Sequence, residues 1–181
     1  MHKTILSLVN IQNEIKSKFK KIPNIIAVSK TFSENQILPL IEHGHIDFGE
    51  NKVQEAMNKW PNLLSKNENV KLHMIGKLQT NKVKQAVSLF DYIHSLDNKK
   101  LAEKIANEQT KKNKSLKLFI QVNIGDETQK SGVNKNDLQS LIEFCKDLNL
   151  NIIGLMCIPP TTSSPEYYFK EMKSLKVQFK L

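Results

Sequence analysis

One lysine closes an otherwise apolar run: Ile25-Ile26-Ala27-Val28-Ser29-Lys30. Most other lysines fall among Asn, Gln and Glu, on stretches that read as solvated faces. At the C-terminal end of a buried strand, a lysine is either a charge carried to the rim on its flexible stem or an amine held for chemistry. Polar groups recur where the other apolar runs end. Glu50 and Asn51 follow Ile46-Asp47-Phe48-Gly49, Gly76 follows Lys71–Ile75, and Ser95 and Asp97 close the run from Tyr92. Asn123 ends the run from Lys117, while Met156 and Cys157 end the last. If these runs are strands of one parallel sheet, their following loops converge on one mouth, the end where barrels keep their functional groups. An amine there, partly desolvated and near other cations such as Lys82 or Lys130, is nucleophilic toward a carbonyl. Lys30 is therefore a candidate Schiff-base lysine.

The elements that must position these groups follow from periodicity. Leu8, Ile11, Ile15 and Phe19 recur at helical spacing, which predicts an amphipathic helix ending before Pro23. A strand over Ile25–Thr31 comes next, then Ser33-Glu34-Asn35-Gln36, a capping-box pattern opening a helix with Ile37, Leu38 and Ile41 inward. Asn51 could cap a helix burying Val53, Met57 and Trp60. The same beat continues through helices on 81–88, on Leu101, Ile105 and Ala106, and on Leu138, Leu141, Ile142, Cys145 and Leu148. A last helix, capped by Ser164 with Pro165 at its first position, aligns Tyr168, Met172, Leu175 and Phe179. Strand and helix thus alternate about six times, the signature of a parallel sheet covered by helices, either doubly wound or closed as a barrel. No GxGxxG or GxxxxGK[ST] follows the first strand, which counts against the dinucleotide and P-loop forms of that class. The expected fold is a TIM-barrel-like (β/α) barrel.

Composition narrows the rest. The 181 residues suit one domain over 1–181, and no Pro/Gly/Ser-rich linker divides them. With 39% apolar and 25% charged residues the chain reads as globular, and no window approaches a membrane span or a signal h-region. The expected compartment is the cytoplasm. Cys145 and Cys157 lack metal-ligand or CxxC spacing and read as reduced core residues, so no metal site is expected. A net charge of +9 could mark a nucleic-acid binder, yet all 27 basic residues are scattered lysines and none is arginine. No nucleic-acid partner is expected.

The residues alone leave two electrophiles open for Lys30: a sugar or keto acid, or the aldehyde of pyridoxal phosphate. The words AVSKT, DFGENKVQE, HMIGKLQTNK, IHSLD, QVNI with QKSGV, and GLMCIPP stand in one order along the chain. In order and spacing they resemble the pyridoxal phosphate homeostasis protein family, single-domain relatives of the alanine racemase N-terminal barrel, from about residue 5 to 179. The resemblance implies a barrel holding pyridoxal 5′-phosphate (PLP) as an internal aldimine on Lys30, in a non-catalytic carrier serving vitamin B6 homeostasis. It also implies that Asn51, His73, Gly76 and Met156 line the mouth near the cofactor, and that Lys82 and Lys130 make secondary cofactor or phosphate contacts. Each has a structural alternative: Asn51 as a helix cap, His73 as a satisfied core histidine, Met156 as packing, and both lysines as solvated charge. PLP-dependent apoenzymes are the implied recipients, with the chain a monomer or weak homodimer.

The chain departs from the family twice. The family's SKTKP reads Ser29-Lys30-Thr31-Phe32-Ser33, so a second lysine near the Schiff base is replaced by Phe32. The sequence also ends at Leu181, before the strands that supply the family's phosphate cup, which predicts about six of a barrel's eight strands. A fragment is preferred over a degenerate copy or a chain completed by a partner. The rival function is a PLP-dependent racemase or decarboxylase acting on amino acids, but that chemistry needs a second acid/base, usually a tyrosine from a separate domain.

Overall fold

The computed structural model describes residues 2–161 and 164–181. In chain order they form α1 (Lys3–Lys18), β1 (Ala27–Val28), α2 (Glu34–Glu42), β2 (Asp47–Glu50), α3 (Val53–Lys66), β3 (Lys71–Met74) and α4 (Val83–Leu89). There follow β4 (Tyr92–Leu96), α5 (Lys99–Lys112), β5 (Lys117–Gln121), α6 (Leu138–Asp147), β6 (Ile152–Met156) and α7 (Pro165–Gln178). The six strands pair in that same order, each parallel to the next. A doubly wound sheet reverses direction at a switch point. Here the order never reverses, so the sheet winds one way, as the wall of a (β/α) barrel does. Among the described strands, β1 and β6 each have one neighbour.

Strand parity divides the sheet into two faces. Phe48 pairs in register with Leu72, and Ile93 with Leu118, all four with no exposed surface. These face the helices: Trp60 of α3 packs on Phe48 with ring centroids 5.2 Å apart. Val53, Ala56, Trp60 and Leu63 form the buried stripe of α3, and Leu101, Ala102 and Ile105 that of α5. Burying each large apolar side chain is worth about 1.5–3 kcal/mol, so such stripes are enough to hold the helices on the sheet. The opposite parity carries Asp47, Gly49, His73, Tyr92, His94 and Phe119, an inner face of rings and polar groups. Gly154 serves that face, because a Cβ there would lie 3.2 Å from the Phe119 ring.

Several local expectations differ from the structure. β1 is shorter than the apolar run, because pairing with β2 ends at Val28 and a turn starts at Ser29. On α1 Leu8 is buried, but Ile11 and, just past the helix end, Phe19 are 47% and 58% exposed, since the main neighbour of this helix is α2. Leu38 also faces outward, while Ile37 and Ile41 of the same helix are buried. The capping box of α2 forms, with Gln36 Oε1 accepting from the Ser33 amide at 3.1 Å. The N-cap of α3 is Lys52 rather than Asn51.

Candidate functional site

The rim begins with the turn that follows β1. The Ser29 amide donates to the Gly49 carbonyl at 2.9 Å, the last bond of the ladder, and the Phe32 amide closes back on the Ser29 carbonyl at 3.2 Å. Lys30 and Thr31 are thereby the central residues of a tight turn, with Lys30 exposed. Thr31 has φ 65°, the left-handed value that the third residue of a type II turn takes. A β-branched residue rarely adopts it.

What lies beneath the turn is charged and buried. Glu50, with no exposed surface, accepts through Oε1 from Ser29 Oγ at 2.8 Å and Trp60 Nε1 at 3.0 Å. Lys59 of α3 pairs with the same oxygen at 2.8 Å and with Glu55 at 3.3 Å. Its ammonium also donates to the carbonyls of Ser29 at 2.8 Å and Phe32 at 3.1 Å. Glu55 accepts from the Thr31 amide at 2.6 Å. That amide bond, assisted by Lys59 against the opposing effect of burial, holds the Glu55 carboxyl below the usual carboxylate range. The sequence reading placed Glu50 at the rim but missed Glu55 and Lys59. At i and i+4 on a helix, opposite charges are the ordinary mark of a solvated pair.

Asn51 and Gly76 come together. A Cβ on Gly76 would lie 2.7 Å from the Asn51 Cα and 2.8 Å from its Cβ, so the absence of a side chain is what lets the loops after β2 and β3 touch. Asn51 Oδ1 is buried, without a hydrogen-bond partner among the described residues. Two clefts open beside this contact. One, of about 370 Å³, is lined by Asn51, Gln54, Gln79 and the lysines 52, 77 and 82. The other, of about 290 Å³, is lined by Gly76, Lys77, Gln121, Asn123, Lys130 and Ser131. Three cations on one small cleft favour an anion. Lys130 already pairs with Glu127 at 2.6 Å and donates to the Pro159 carbonyl at 3.4 Å. Met156 ends β6, its carbonyl accepting from the Val122 amide at 2.8 Å; neither cleft includes Met156 or Lys30.

His73 does not join them. Its Nε2 lies 3.0 Å from Asp47 Oδ1, its Nδ1 lies 2.9 Å from His94 Nε2, and its ring stacks on Tyr92 at 4.1 Å. Both ring nitrogens are therefore engaged on the inner face. Burial holds His73 below the usual histidine range despite the opposing Asp47, and burial with the neighbouring His73 pushes His94 down to about 4. Among the described residues no cluster of His, Cys, Asp and Glu could hold a metal ion. No described helix is long and apolar enough to cross a membrane.

A one-way parallel sheet with its polar groups at the strands' C-terminal ends defines an α/β barrel-type protein. The family model for the N-terminal domain of alanine racemase matches residues 9–179. The pyridoxal phosphate homeostasis protein of Pasteurella multocida is 36% identical over 94% of this chain and 76% of its own. That of Aquifex aeolicus is 38% identical over 84% and 68%. The chain belongs to the pyridoxal phosphate homeostasis protein family. Among solved structures, PipY of Synechococcus elongatus with PLP bound superimposes with a TM-score of 0.82 at 30% identity, covering 93% of this chain and 79% of that one. An alanine racemase of Clostridium difficile shares the fold at 14% identity, with a TM-score of 0.73 over 97% of this chain and 51% of its own.

Proposed function

We propose that the protein binds pyridoxal 5′-phosphate and serves vitamin B6 homeostasis, holding the cofactor as a Schiff base on Lys30. The observation that carries this reading is the presentation of Lys30: an exposed amine on a tight turn at the C-terminal end of a parallel strand. The names of its relatives and the PLP-bound relative support it.

Other residues of the rim offer such a ligand polar and cationic partners, although the cationic cleft does not itself include Lys30. Lys52, Lys77 and Lys82 give one cleft a positive lining suited to a phosphate. Asn51 contributes a buried acceptor without a partner among the described residues, and Gly76 keeps the adjoining loops close. Lys130 borders the neighbouring cleft, where Glu127 restrains it. Met156 ends β6, and His73 lies on the inner face, engaged with Asp47 and His94. When bound, the cofactor brings an aldehyde. Lys30 would supply the amine that reacts with it.

No residue is assigned a catalytic role. The protein acts in the cytoplasm as a reversible holder, releasing cofactor to PLP-dependent apoenzymes. Borohydride reduction of the protein mixed with PLP, followed by peptide mass spectrometry, tests the attachment point. Label concentrated on Lys30 supports the reading; label spread evenly over the 27 lysines refutes it.

A further inference from the structure

The turn that presents Lys30 is held by two side chains one helical turn apart. Lys59 grips the carbonyls on both sides of the turn, Ser29 at 2.8 Å and Phe32 at 3.1 Å, while Glu55 takes the Thr31 amide between them at 2.6 Å. Glu50 anchors Lys59 at 2.8 Å and takes the Ser29 hydroxyl at 2.8 Å. Lys30 itself enters this network through its carbonyl, which accepts from Thr31 Oγ1 at 2.6 Å.

A need for stability does not account for the arrangement. A buried ion pair is a poor device for holding α3 on the sheet, because apolar residues of similar volume do as well or better. An apolar side chain cannot bind two carbonyls, nor hold the carboxylate that binds the amide between them. The charge-assisted bonds of Lys59 and Glu55 are strong and directional, and they converge on a turn whose Thr31 sits at a φ that β-branched residues avoid. Without them, less would hold Thr31 at its positive φ, and the peptide between Lys30 and Thr31 would be freer to flip.

We propose that Lys59 and Glu55 are positioning residues, locking the Ser29–Phe32 turn so that Lys30 points at the rim. The functional part of this inference rests on the reading of Lys30 as the cofactor amine. Two measurements separate the two. The first, with no ligand, is hydrogen exchange of the Thr31 amide. The second is the ratio of borohydride-trapped PLP on Lys30 to that on the exposed Lys176.

In Lys59→Met, Thr31 exchange rises about tenfold or more and the Lys30-to-Lys176 ratio falls by a similar factor. Lys59→Arg, which keeps charge and donors, stays near wild type. Adding Thr31→Gly to Lys59→Met brings the trapping ratio back to within about threefold of wild type, because glycine takes the left-handed conformation freely. A purely structural Lys59 would lower thermal stability without this rescue. A folded Lys59→Met with wild-type Thr31 exchange overturns the clamp. Faster exchange with an unchanged trapping ratio overturns its positioning role. If wild type shows no preference for Lys30, the cofactor reading fails, and Thr31 exchange still decides the clamp. Should Lys59→Met fail to fold, Glu55→Ala, which leaves the Glu50–Lys59 pair intact, is held to the same exchange and trapping criteria.

Discussion

His73 Nδ1 and His94 Nε2 stand 2.9 Å apart on adjacent strands, the middle link of a chain that starts at Asp47. An ionised carboxylate can only accept, so His73 Nε2–H donates to Asp47. Its Nδ1 is then the acceptor, and His94 Nε2–H donates to it. This chain requires the His73 ring to be neutral, while His94 Nε2–H can donate from either form; burial disfavours the charged form of both rings.

Stability should therefore fall in mild acid. Burial pushes the folded pKa of His94 down to about 4 from the ordinary histidine value of 6.5, so between these pH values the unfolded chain binds more protons. The contribution of His94 is complete above about pH 6.5 and is lost as pH falls toward 4, on the order of 3 kcal/mol over the whole window. Thermal unfolding between pH 7.5 and 4 reads this directly. His94→Gln keeps a donor for His73 but does not titrate, and it should show a flatter pH dependence than wild type. Equal slopes would remove His94 as the cause.

Gly76→Ala should destabilise the protein by about 1–3 kcal/mol, since the new Cβ meets backbone of Asn51 that cannot move aside cheaply. Urea unfolding measures the loss. The same substitution should weaken PLP binding, because Asn51 borders the cationic cleft. Wild-type stability would mean that the two loops separate freely.

Lys82→Gln should raise the PLP concentration needed for half-saturation by about threefold and reduce its dependence on salt. Binding followed between low and physiological ionic strength provides the check. An unchanged affinity and salt response would assign Lys82 to solvated charge.

Amphipathic spacing made the helices legible, and the capping box of α2 stands where Ser33 and Gln36 placed it. One-way winding was harder to read, because the alternation of strands and helices left open whether the sheet reverses. The short β1 and the exposed face of α1 escaped sequence reasoning for one reason: apolar periodicity records which face could be buried, not what lies against it. The placement of Lys30, Asn51 and Gly76 in the loops after the strands could be read because each follows an apolar run. Lys59 has the i,i+4 spacing of an ordinary partner for Glu55, and its burial depends on a turn formed 27 residues earlier. Nor could the Asp47–His73–His94 chain be read in advance, since it depends on the register of three strands.

The central claim is that Lys30 holds the cofactor, and a visible absorption titration with PLP tests it most directly. Wild type and Lys30→Ala are titrated side by side, the variant being expected to fold because Lys30 is exposed. The account predicts a saturable Schiff-base band in wild type that is missing from Lys30→Ala. The same saturable band in both proteins, or in neither, would contradict it.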